Sequence, residues 1–396
     1  MVEPSDCRSV REGPSLPRLF ASFLRLGVTA FGGPAMVAYI RDLAVKKNQW
    51  VTSNSFADGT ALCQTIPGAT AMQAAAYVGL RARGTMGALA TFLGFGLPAF
   101  VLMTILSVLY AGTRDLQPVA SAFRGLHVIV VALVANAVVN FGRSTIKNWR
   151  DAALACSAGA FLFGRGSPIL AILASAAVGM LLYRGVNLPI RCFHNDGEPG
   201  GMRTVRLVIS AILAGGVVLA VLFVANLRLF DLAALMMKVD VFAFGGGFAS
   251  VPVMLHQVVD VRHWMDSRTF MDGIALGQVT PGPIVITATF VGYQVAGLAG
   301  ALAGTVAVFS PSFLMVLITV PYFDRLQHSV LFRRALRGIL ASFVGLLLAV
   351  TIQFAMAVSW TIPSIFLALA AFAALWFKID ILWVVLIGSG VSILIL

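Results

Sequence analysis

One pattern returns along this chain at a constant interval of 213 or 214 residues. Phe31-Gly32-Gly33 recurs as Phe244-Gly245-Gly246, and Trp50 recurs as Trp264. Phe56, Asp58, Gly59, Ala61, Leu62, Gln64, Pro67 and Gly68 recur as Phe270, Asp272, Gly273, Ala275, Leu276, Gln278, Pro281 and Gly282. Gly-Ala-Leu-Ala at 87–90 returns at 300–303, and Pro98 and Phe100 return as Pro311 and Phe313. A self-match held at one spacing marks an internal duplication, so the fold must be built from two copies of one unit. The copies are assigned to residues 1–183 and 229–396. Residues 184–228 between them hold a polar linker and one extra apolar run.

Composition says where these copies reside. Of 396 residues 59% are hydrophobic and 11% charged, with a mean hydropathy of +0.92. Soluble domains run nearer 45–50% apolar and about 25% charged. Apolar runs such as 88–109, 208–224 and 339–358 approach or exceed the roughly 20 residues that span a bilayer. The chain therefore reads as an all-α integral membrane protein. The net charge of +12 fits cytoplasmic loops that orient such a protein better than nucleic-acid binding. The first 17 residues lack the apolar core of a signal peptide and read as a cytoplasmic tail. Cys7, Cys63, Cys156 and Cys192 stand singly, with no metal-ligand or disulfide spacing.

The repeated motifs interrupt apolar segments. In the first copy 16–31 is apolar, Gly32-Gly33-Pro34 breaks it, and 35–47 continues; 55–66 is broken at Pro67-Gly68 and resumes at 69–80. Pieces of about 12–16 residues are too short to cross at 1.5 Å per residue. They predict re-entrant hairpins or broken helices, tolerated at membrane depth only inside protein or beside a water-filled cavity. Full spans are expected at 84–111, 118–141, 151–163 and 168–183. With their second-copy equivalents and the extra run at 207–227, this makes nine spans beside two pairs of hairpins, or a count near 13 if the hairpins cross. Lys and Arg gather at 81, 83, 143, 147 and 150 in the first copy. In the second copy they gather at the opposite connection, at 325, 333, 334 and 337. The positive loops have changed sides, which predicts inverted-topology repeats, with the N-terminus cytoplasmic and the C-terminus on the other side.

Inverted repeats with broken helices typify secondary transporters, whose sites lie near the midplane. A helix that starts at a break presents free N–H groups and the positive end of its dipole, a ready anion site. Such starts are expected at Pro34, Ala69, Phe248 and Pro283, with Thr70 among the N-terminal residues, 68–70, that would hold the anion. Gly32, Gly33, Gly68, Gly245, Gly246, Gly247 and Gly282 let a ligand approach the backbone, and Gln64 and Gln278 offer amides just before Pro67 and Pro281. Arg25 and Lys238 occupy equivalent positions seven residues ahead of Gly32 and Gly245. As cations inside apolar segments they are candidate substrate ligands. The competing readings are that Arg25 snorkels to the surface and Lys238 pairs with Asp240. Asp58 and Asp272 read either as acids in the first turns of their helices or, with Asp240, as coupling or gating carboxylates. His256 has no repeated partner and reads as a packed or loop-facing residue, and the glycine-rich stretches 79–96 and 292–304 as close helix packing. No nucleotide-binding loop, zinc motif or nucleophile elbow is present, so neither an enzyme nor a cofactor or metal site is expected.

At these residues the sequence resembles the chromate ion transporter family in its long, two-domain form. The resemblance rests on Phe31-Gly32-Gly33-Pro34 and 64–68 in the first copy, and on Phe244-Gly245-Gly246-Gly247 and 277–283 in the second. It implies export of chromate across the inner membrane, gradient-driven, conferring chromate resistance, with sulfate as the look-alike dianion. Ala69 stands where the family often has a second proline, which leaves open whether the two copies contribute equally. An exchanger for another oxyanion and an anion channel are the rival readings. The expected partners are the oxyanion and the lipid bilayer, and the sequence leaves open whether the chain works alone or as a homodimer.

Overall fold

The computed structural model describes residues 14–31, 35–184, 202–322 and 329–395. The first copy contains α1 (Leu16–Thr29), α2 (Ala35–Arg41) continued by a π turn (Asp42–Lys47), α3 (Ser53–Thr65), α4 (Thr70–Thr113), α5 (Gln117–Thr145), α6 (Trp149–Phe163) and α7 (Pro168–Leu182). After α8 (Met202–Ala225) the same series returns: α9 (Leu227–Val241), a 3-10 turn (Gly247–Ala249) leading into α10 (Ser250–Leu255) and a π turn (His256–Val261), and α11 (Ser267–Val279). A 3-10 turn (Ile284–Ile286) then opens α12 (Thr287–Thr319), followed by α13 (Val330–Ala357), α14 (Ile362–Trp376) and α15 (Ile381–Ile395). Even the irregularities repeat: the two π turns correspond, as do the left-handed residues Gln49 and His263, and Arg165 and Lys378. Among the described residues the fold is all helix, as expected.

α4 and α12 are each a hairpin. Both change direction at a glycine with positive φ, Gly84 (63°) and Gly297 (59°). This divides them into short arms (70–82 and 287–295, with its 3-10 turn) and long arms (85–113 and 298–319). The arms meet through glycines with no room for a side chain: a Cβ on Gly292 would lie 2.1 Å from the Gly300 carbonyl oxygen. Thr91 Oγ1 donates to the Ala75 carbonyl at 2.8 Å, and Thr289 and Thr305 hydroxyls bond at 2.7 Å, closing each hairpin. The glycine-rich stretches are close helix packing, as read.

Each short arm also forms a hairpin with the helix before it. Tyr77 Oη donates to the Ser55 carbonyl at 3.0 Å and its ring covers Gly59, so α3 and the first arm of α4 run antiparallel about a tip at Pro67-Gly68. Gly273 against Phe290 and Gly277 against Thr287 do the same about Pro281-Gly282. Ahead of them, Arg18 hydrogen-bonds Asn48 and Phe23 stacks with Trp50, so α1 and α2 also turn back on themselves. The short segments are thus re-entrant hairpins.

The two copies run in opposite directions. The first arm of α12 lies parallel to the long arm of α4, with Gly282 against Ala99 and Phe290 against Tyr110. The long arm of α12 returns antiparallel to its own first arm. The equivalent long arms are therefore antiparallel to each other, crossing where Phe92 meets Phe309 and Phe313. The copies also exchange partners: α13 packs on α6 and α7, and α5 packs on α14 and α15. At one end Arg337 reaches across to Asp151 with bonds of 3.0 and 2.9 Å. This brings the basic connection of the second copy to the basic end of the first. Pro14 lies at that end, bonded by Arg83, whereas Ser392 bonds the Ser121 carbonyl at the far end of α5.

One expectation needs correction. Helices α6, α7, α14 and α15 hold 15 residues each, about 22 Å, short of a straight crossing of a core about 30 Å thick. Segments 151–163 and 168–183 are therefore not full-length spans. Five described helices are long and apolar enough to cross a membrane, the α4 and α12 hairpins counted as one each.

Candidate functional site at the meeting of the hairpin tips

The tips of the re-entrant hairpins converge at the centre of the molecule. Pro67 and Pro281 end their helices because a proline disfavours helical backbone in the residue before it. Gly68 (φ 122°) and Gly282 (φ 139°) then adopt a conformation that L side chains rarely take. The Gly68 N–H donates to the Ala243 carbonyl at 2.9 Å, so the tip of one copy is bonded to the tip of the other. Gly246 approaches Thr70, and Gly247 approaches Ile284.

A cavity of about 720 Å³ opens between these tips. Gln64, Thr70, Gly245, Gly246, Gly247, Gln278, Gly282 and Pro283 line it. Gln278 aims an amide nitrogen, buried and without a protein partner, among these residues. Phe141, Phe248 and Ile284 supply apolar wall. The wall then continues in one direction only, along Met36, Val37 and Arg41 of α2 and Phe56, Ala57, Thr60 and Ala61 of α3. The matching face of α11, from Phe270 to Ala275, is buried. The cavity is therefore entered from the end that carries Arg18, Arg83 and Arg337.

Other expectations fall differently. Gly32, Gly33 and Pro34 lie outside the described residues. Arg25 and Lys238 are exposed and contribute nothing to the cavity wall, because each sits on the face of its helix turned from the tips. Lys238 makes no ion pair with Asp240, whose carboxylate is fully buried and accepts from Ser312. The cation that does reach the wall is Arg41, held to Ser53 Oγ at 3.2 Å. Repeat logic missed it because its second-copy counterparts are Met254 and Leu255. Pro67 and Pro281 shape the tips without lining the cavity.

Helix starts are displaced from the expected residues: α2 begins at Ala35, α4 at Thr70, and the second-copy segments begin with 3-10 turns at Gly247 and Ile284. Nor are all of these starts free for an anion. The Ala69 N–H already donates to Ser312 Oγ at 2.8 Å, and Ser312 donates to Asp240 at 2.7 Å. The second tip lacks these groups, since the positions equivalent to Asp240 and Ser312 are Gly27 and Ala99. The copies contribute unequally.

The repeated acids are not in first turns. Thr52 and Asp266 cap α3 and α11, accepting from the N–H groups of Ser55 and Thr269. Asp58 and Asp272 come one turn later. Asp272 is buried and accepts from Tyr110 Oη and His127 Nε2, both at 2.6 Å, which ties α11 to α4 and α5 of the other copy. His256 is a packed histidine, 3.3 Å from Asp260. Among the described residues no cluster of His, Cys, Asp or Glu could hold a metal.

No solved structure matches the chain. It is 45% identical to an uncharacterised transporter of Methanocaldococcus jannaschii, over 98% of this chain and 96% of that one. It is 33% identical to a chromate transport protein of Pseudomonas aeruginosa, over 91% and 86%, and 30% identical to one of Cupriavidus metallidurans, over 93% and 90%. The chromate transporter family model matches twice, at residues 17–180 and 230–393, the two copies that the repeated motifs and the inverted helices delineate. The chain is a multi-pass membrane protein of the chromate transporter family.

Proposed function

We propose that this protein exports chromate from the cytoplasm by alternating access, driven by the membrane potential. The observation that supports this reading most is a cavity lined by the tips of both inverted copies yet open at one end only. Two inverted copies can pack in two ways related by a two-fold axis in the membrane plane, so a cavity open through α2 and α3 in one state opens through their counterparts, α10 and α11, in the other. The end now open carries the basic connections and is assigned to the cytoplasm. Chromate enters past Arg41 and is held by Gln278, Thr70 and the backbone at 245–247 and 282–283. Asp272, bonded across the copies, is the gating carboxylate on the closed side. An inside-negative potential moves a dianion outward with about 4.6 kcal/mol per 100 mV, from about 2.3 per charge. Export then needs no separate energy source, and chromate resistance follows.

In proteoliposomes preloaded with labelled chromate, an inside-negative potassium-diffusion potential should accelerate efflux, with unlabelled sulfate competing. Efflux that ignores the potential would exclude this mechanism. A conductance without saturation would favour a channel.

A further inference from the structure

A buried polar cluster lies behind the first tip, on the side away from the proposed ligands. Asp240 and Gln73 are both 0% exposed. Ser312 Oγ donates to Asp240 Oδ2 at 2.7 Å, and Gln73 Nε2 donates to the Pro67 carbonyl at 2.6 Å. These bonds leave one acceptor on each side chain, Asp240 Oδ1 and Gln73 Oε1, buried and without any donor. Gln73 and Ser312, the residue that holds Asp240, crowd the same point: a Cβ on Gly68 would lie 2.2 Å from Ser312 Oγ and 2.6 Å from Gln73 Nε2. Two orphan acceptors in one buried cluster are costly unless a donor sits between them.

Among the described residues no cation supplies that donor. Of the elements packed on α9, α10 and α12 carry no charged side chain. α8 carries Arg203 and the exposed Arg206, the π turn after α10 carries His256 paired with Asp260, and Lys238 on α9 itself is exposed. The first arm of α4 has only Arg81, at its far end.

We propose that Asp240 and Gln73 form a single-proton site coupled to the oxyanion site, an inference that rests on the reading of the cavity as that site. One proton on Asp240 Oδ1, donated to Gln73 Oε1, satisfies both orphans and removes the negative charge from the start of the first arm of α4. Thr70, two residues beyond the Gly68 tip, lines the cavity. An ionised Asp240 repels a dianion there, and a protonated one does not. Proton and oxyanion therefore bind together, and by reciprocity each raises the affinity for the other. The second tip carries Gly27, Ala99 and Thr287 at the equivalent positions, so one proton accompanies each anion, and the membrane potential then acts on a net charge of −1, half that of the bare dianion.

Infrared titration of the purified, substrate-free protein should show a protonated-carboxyl band that fades as pH rises and is missing in Asp240→Asn. A titration in which that substitution removes no such band overturns the site. In proteoliposomes the wild-type apparent affinity for chromate should fall by up to about tenfold per pH unit above the midpoint. Asp240→Asn, which mimics the protonated acid, should stay at the low-pH affinity, and Gln73→Leu should move the midpoint to lower pH. Protonation of chromate itself is common to all three proteins and cancels in the comparison. A wild-type pH profile in Asp240→Asn refutes the coupling. A wild type that moves no chromate speaks against the transport reading alone, and the infrared titration still decides whether Asp240 holds the proton.

Discussion

At the scale of residues, charge and its exposure separate functional from structural roles. Arg41 lies on the open wall of the cavity, where a cation concentrates an approaching anion. Arg41→Gln should weaken apparent chromate affinity about three- to tenfold, more at low ionic strength, as uptake assays at two salt concentrations can show. Arg25→Gln and Lys238→Gln should leave affinity within about twofold, since both side chains point away from the cavity. The trio of buried Tyr110 and Asp272 with half-buried His127 behaves differently. His127→Ala leaves buried Asp272 one hydrogen-bond partner short and should destabilise by about 2 kcal/mol. Tyr110→Phe removes one neutral donor and should cost about 1 kcal/mol. Thermal midpoints in detergent should fall in that order.

At the scale of elements, the hairpins stand on glycines that do unequal jobs. Gly79 and Gly87 on α4, and Gly292 and Gly300 on α12, bring backbones so close that a Cβ would lie 2.0–2.3 Å from a carbonyl oxygen. Gly300→Leu should part the arms of α12 and abolish folded, monodisperse protein on size exclusion. Gly84 turns the chain with positive φ but has nothing within 4 Å of its missing Cβ. Gly84→Ala should therefore cost only the strain of a backbone region that is nearly glycine-only (φ 63°, ψ −158°), about 1–3 kcal/mol, and leave transport measurable. The breaks themselves were legible in the sequence, because Gly and Pro act on the backbone locally. The lengths of α6, α7, α14 and α15 were not. Apolar composition alone does not tell a full crossing from a 15-residue arm that leans on a neighbouring long helix.

At the scale of the whole molecule, inversion and one-sided opening make joint predictions. Reporter fusions near Lys147 and Thr361 should land on opposite sides of the membrane. Cysteines placed at Ala57 and Met271 probe equivalent helices, the first exposed and the second buried. A membrane-impermeant thiol reagent should label Ala57→Cys from the cytoplasmic side and spare Met271→Cys, and a condition that favours the outward-open state should reverse this from the other side. Simultaneous labelling of both would describe a channel.

By itself, the sequence determined that two related copies exist, that they lie in a membrane, where their helices break, and that their basic loops occupy opposite ends of the repeated unit, as inversion requires. Each of these follows from local chemistry or from composition repeated at one spacing. The tertiary structure decided which polar groups face the cavity and which are spent inside the protein. Arg25 and Lys238 satisfy the repeat and still turn away, whereas Arg41, unrepeated, reaches the wall. Asp240 and Ser312 seal the first tip only because inversion brings them, from distant parts of the second copy, onto a helix start in the first. The repeat is symmetric in its backbone motifs and asymmetric in its buried polar residues, and only packing the copies against each other shows where those differences meet.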